Sequence, residues 1–130
     1  MSTVSKWKDL LSMVLLLLCA VGAFASFFLN LTTVTEAEPI RKVGEIWRLY
    51  GFLVFTGLFL LLAFFPRRYA GIWELTIFHK AAVAVTVPLL INKITPDIQT
   101  VFLTDGIVAV ILFISYLLTK GYRAWKSTSK

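Results

Sequence analysis

Four apolar runs, each about as long as a bilayer is thick, alternate with short polar stretches along this chain. Residues 10–29 carry no charge at all. At a rise of about 1.5 Å per residue, twenty helical residues cross a hydrocarbon core of about 30 Å. Residues 46–65 form the second run, with Arg48 one turn inside its start. Pro66-Arg67-Arg68 closes it, since proline cannot continue the helical hydrogen-bond ladder. The third run, residues 73–91, contains Glu74, His79 and Lys80. Its uncharged part, residues 81–91, is too short to cross alone, so residues 75–78 must also lie in the membrane. Pro88 is expected to kink its far end. The fourth run, residues 101–119, has Asp105 one turn in. Residues 30–44 and 92–100 read as loops, the second turn-rich around Pro96-Asp97. Residues 66–71 leave so little chain between runs two and three that these two should be antiparallel neighbours.

The pattern predicts an all-α, polytopic transmembrane four-helix bundle occupying residues 1–130 as one domain. Composition agrees. The chain is 58% hydrophobic and 15% charged, against about 45–50% and about 25% in soluble domains. That excludes a disordered chain and a water-soluble enzyme. A cleaved signal peptide is the competing reading of the first run, because Ala23-Phe24-Ala25 offers an Ala-x-Ala site. The run stays apolar through Phe27, Phe28 and Leu29, as a retained helix does.

Net charge is +6 over 130 residues. In a soluble protein that would raise nucleic acid as a partner. Here the basic residues flank the spans, where they orient the chain and meet anionic lipid. With both termini cytoplasmic, the inner side collects Lys6, Lys8, Arg67, Arg68, Lys120, Arg123, Lys126 and Lys130, and the outer side Arg41, Lys42, Arg48 and Lys93. Trp7, Trp47, Trp73, Tyr50, Tyr69, Tyr122 and Trp125 lie near the run boundaries, as an aromatic belt does. An inner or plasma membrane location with cytoplasmic ends follows as the expectation.

Single residues exclude several chemistries. One cysteine, Cys19, allows no internal disulfide and no dithiol exchange. One histidine, His79, builds neither a bis-histidine haem site nor a three-histidine metal centre within one chain. No cofactor and no metal are expected. Asn30-Leu31-Thr32 is formally a glycosylation sequon, but it lies too close to the membrane to be a good acceptor.

Ionisable groups inside spans are costly and mark function by default. Lys80 lies about 10 Å into the core counted from Trp73. It either snorkels and stabilises the bundle or pairs with an anionic ligand or partner. Glu74 is six residues away and so on another helix face. His79 titrates near neutral pH and is able to relay protons, or it simply packs. Arg48 and Asp105 sit at matching depth near the outer face and suggest an interhelical salt bridge; Glu45 competes for Arg48 at i,i+3. By the same depth count Lys80 and Asp105 are about 14 Å apart along the membrane normal and should not touch. Small-residue pairs Cys19/Ala23, Gly22/Ser26, Ala82/Thr86 and Ser115/Thr119 mark close helix approaches.

Arg48-Leu49-Tyr50-Gly51 opening the second span, Lys80 within the third, and Asp105 ahead of Phe113-Ile114-Ser115-Tyr116 in the fourth resemble small four-helix membrane proteins of the DoxX-like kind. The resemblance runs from Trp47 to Leu118. It implies a four-helix bundle, with some family members similar to subunits of quinone-linked oxidoreductases. It transfers no catalytic role. Small multidrug transporters are similar in size but carry an acid in their first span, which residues 10–29 lack.

Function therefore divides three ways. The first expectation is a non-enzymatic scaffold or accessory subunit, or a binder of a lipid-like molecule, with membrane lipids and a larger complex or homo-oligomer as partners. The second is an enzyme or redox subunit acting on a quinone or isoprenoid through Glu74, His79 and Lys80; it requires at least two of these to converge in one cavity. The third is a small oligomeric transporter with Lys80 or Asp105 on a water-filled path.

Overall fold

The computed structural model describes residues 5–128. Among these, every regular element is helical. Four long helices are long and apolar enough to cross a membrane, and the protein is an integral membrane protein. They are α1 (Lys6–Leu29), α3 (Pro39–Phe64), α4 (Ile72–Leu90) and α5 (Pro96–Thr119). A short α2 (Leu31–Glu36) lies between the first two, and a 3₁₀ turn (Gly121–Arg123) with α6 (Ala124–Thr128) follows the last.

Two helices begin well before their apolar runs. Helix α3 starts at Pro39, with the backbone N–H groups of Arg41 and Lys42 donating to the Glu38 carbonyl. Helix α5 starts at Pro96, where residues 92–100 read as a loop. Proline suits the first helical position because its missing N–H would have no partner there. The Thr95 hydroxyl oxygen accepts from the Ile98 N–H at 3.3 Å and caps the helix. Pro96-Asp97 is thus a helix start rather than a turn. Asp105 consequently lies nine residues into α5, about 13.5 Å by helical rise, and not one turn in.

The bundle is two antiparallel hairpins, α1 with α3 and α4 with α5, joined mainly along α1 and α5. Helices α3 and α4, though consecutive, meet only slightly. The short connection made them antiparallel without making them the tightest neighbours. The core is one cluster: Leu16 and Ala20 from α1, Phe59, Leu62 and Ala63 from α3, Trp73 from α4 and Leu112 from α5. It lies towards the end closed by the α3–α4 connection. Because lipid tails are as apolar as leucine, close packing and interhelical polar contacts hold such a bundle together. Cleavage after Ala25 would remove the helix that supplies Leu16 and Ala20.

The small-residue pairs divide. Ser115 and Thr119 are fully buried, and Cys19 and Ala23 pack on the core. Gly22 faces open space and Thr86 is exposed, so Gly22/Ser26 and Ala82/Thr86 do not mark the contacts expected of them.

The closed end is knitted by Arg67. Its Nη1 and Nη2 donate to the two Asp9 oxygens at 2.9 and 2.7 Å, and Nη1 also donates to the Thr119 carbonyl at 2.7 Å. Asp9 sits in the first turn of α1, where the helix dipole favours an acid. Thr119 ends α5, where carbonyls lack helical partners. One guanidinium in the α3–α4 connection thus fastens the start of α1 to the end of α5. The hydrogen bonds to Asp9 push the Arg67 pKa up, against the opposing effect of burial.

Candidate functional site

The intramembrane charges gather in three places. At mid-depth, Lys80 Nζ donates to Asp105 Oδ1 at 3.1 Å, with side chains only 12% and 16% exposed. The pairing corrects two sequence expectations. Lys80 and Asp105 do touch, and Arg48 is not the partner of Asp105.

Register explains the first correction. Tyr116 bonds Glu74, and Gly106 sits against Ala84. The same antiparallel register sets Lys80 level with Val110, five residues beyond Asp105, or about 7.5 Å along the axis. An extended lysine covers that distance. A helix beginning only at Val101, and not at Pro96, would give the larger separation.

Arg48 belongs to the other end of the bundle. Its Nη1 donates to Asn30 Oδ1 at 3.1 Å and lies 3.8 Å from Glu45 Oε2, as i,i+3 spacing allows. Its guanidinium lies over the Phe52 ring. Asn30 in turn donates from Nδ2 to the Ser26 carbonyl. The sequon asparagine is therefore engaged through both ends of its amide.

The second hairpin is tied to the first by an aromatic ring. Phe55 of α3 lies 4.1 Å from Lys80 Nζ and 4.7 Å from the His79 ring. A cation over an aromatic face is attracted by the ring quadrupole, more so away from water. Lys80 therefore meets α5 through a carboxylate and α3 through a ring. His79 is exposed on the outside of the bundle.

Glu74 lies nearer the closed end and has its own partner. Tyr116 O–H donates to Glu74 Oε2 at 2.6 Å. Tyr116 packs on Trp73, and the Trp73 indole N–H donates to the Pro66 carbonyl at 2.8 Å. Helix α4 leaves this corner through Gly71, whose φ of 91° favours glycine. Gly121 lies so close to the Trp73 indole that any side chain there would overlap the ring.

The five residues expected to carry chemistry thus fall into three separate groups: Lys80 and Asp105 with His79 alongside, Glu74 with Tyr116, and Arg48 with Asn30 and Glu45. Of the three residues expected to converge, His79 and Lys80 share Phe55 while Glu74 stands apart with Tyr116. An open groove of about 460 Å³ runs between α4 and α5 past Ala84, Phe102, Gly106 and Val110; its lining is apolar and includes none of the three. No group of three or more His, Cys, Asp or Glu suited to a metal occurs among the described residues. Sequence reasoning missed the Asp9–Arg67–Thr119 tie. The available signal was one acid among the basic residues flanking the first span. No family model, curated protein or solved structure matches the chain.

Proposed function

We propose that this integral membrane protein is a non-enzymatic scaffold or accessory subunit, inserted with both termini on the cytoplasmic side. The observation that carries the reading is the Lys80–Asp105 pair at 3.1 Å. The two charges that cost most to place in a bilayer neutralise each other within the bundle. Glu74 is likewise engaged, by Tyr116. A quinone-handling or isoprenoid-handling site would need at least two of Glu74, His79 and Lys80 aimed into one cavity; His79 and Lys80 share Phe55, but Lys80 is taken up by Asp105 and Glu74 by Tyr116. The DoxX-like resemblance fits a small bundle standing beside a larger membrane oxidoreductase, with its broad aromatic surface as the area of contact. The orientation rests on the surplus of basic residues at the closed end.

Native mass spectrometry of the protein released from its own membrane in mild detergent tests this. The expected result is a protein partner at fixed stoichiometry, retained when Lys80→Met and Asp105→Leu are combined. A quinone or isoprenoid that co-purifies with the wild type and is lost in that double variant would replace this reading with a ligand-handling one.

A further inference from the structure

The two arginines of the α3–α4 connection have opposite surroundings. Arg67 is taken up by Asp9 and Thr119. Arg68 is exposed and has no carboxylate partner among the described residues. Its guanidinium lies 5.8 Å from the Phe65 ring centroid and 5.7 Å from that of Tyr69. The two rings meet edge to face at 6.1 Å. Both rings attract the cation and hold the long side chain near them, and a planar guanidinium fork with no carboxylate partner suits phosphate.

The surroundings call for an anion from outside the chain. Lys6, Lys8 and Lys120 lie at the same end of the bundle as the two arginines. The acids described there are Asp9 and Glu74, and both are already engaged. Just beyond the ledge, Leu61, Phe64 and Phe65 expose apolar side chains at the end of α3. The ligand must therefore be anionic at one end and apolar along its length. We infer that Arg68, on its ledge of Phe65 and Tyr69, binds the phosphate of an anionic phospholipid whose acyl chains lie along the last turns of α3. This goes beyond the scaffold reading and does not depend on it.

The test uses the full chain in mild detergent, titrated with phosphatidylglycerol or phosphatidylcholine, with bound lipid counted by native mass spectrometry. The wild type is expected to retain phosphatidylglycerol in preference. Arg68→Gln should weaken that binding about fivefold to tenfold, the worth of one interfacial arginine with its charge-assisted hydrogen bonds. Arg41→Gln, at the opposite end, should leave it unchanged. Should Arg68→Gln lose helix content, Phe65→Leu, which removes part of the ledge and keeps the charge, must still weaken phosphatidylglycerol binding. Equal binding of the two lipids, or phosphatidylglycerol binding unaffected in the folded variants, overturns the inference. So does complete displacement of the lipid by inorganic phosphate, which would mean that a soluble anion is the ligand.

Discussion

Gly121 shows how a single side chain can be excluded by geometry. A methyl group there would overlap the Trp73 indole, which is 1% exposed and held by the Pro66 carbonyl. Trp73 cannot retreat without losing that bond and its packing on Tyr116. Gly121→Ala is therefore expected to cost about 1–3 kcal/mol, as overpacking usually does. Equilibrium unfolding in mixed detergent micelles measures it, and a loss below about 0.5 kcal/mol would show that the indole has room to move. At the same scale, Arg48 illustrates a weaker contact. It is exposed, its bond to Asn30 is a single one, and Glu45 lies 3.8 Å off. Arg48→Gln should change stability by less than about 1 kcal/mol.

At the scale of elements, the α3–α4 connection does more than reverse the chain. Arg67 joins the start of α1 to the end of α5, so its loss should loosen two helices at once. The pair is about one-third exposed, 33% and 32%, and is therefore partly screened. Arg67→Gln or Asp9→Asn should cost about 1–2 kcal/mol, the range for a charged hydrogen bond discounted for solvent. Because the folded state raises the Arg67 pKa, this contribution is fully present below the ordinary arginine range. It is lost only as pH climbs through the raised value. Stability between pH 7 and 10 should accordingly owe nothing to Arg67 titration. A thermal unfolding series over that interval, run on wild type and Arg67→Gln, should give a constant difference between the two. The helices themselves were legible in the sequence, because an apolar run of bilayer length has few other readings. Their true starts were less so. Pro39 and Pro96 each open a helix in a polar segment, and a loop signal and a helix start share proline and polar caps.

For the molecule as a whole, the charged pair was the least legible feature. A depth count from the run boundaries separates Lys80 and Asp105, because residues 96–100 carry a loop signal although they are the first turn of α5. Which helices touch was also beyond the sequence. The short connection made α3 and α4 consecutive and antiparallel, yet the tight contacts are α1 with α3 and α4 with α5. Between those hairpins Phe55 bridges to His79 and Lys80. Phe55→Ala should therefore loosen the halves against each other while each hairpin keeps its helices. Faster amide hydrogen exchange in the middle of α3 and α4, with unchanged circular dichroism, would register that. The central claim is that the intramembrane charges serve the bundle itself. A double-mutant cycle on Lys80→Met and Asp105→Leu, read by unfolding in mixed micelles, tests it most directly. Each single change strands a charge in apolar surroundings and should cost about 3–5 kcal/mol, whereas the double variant should return to within about 1 kcal/mol of wild type. Additive losses, with the double variant the least stable of all, would contradict the account.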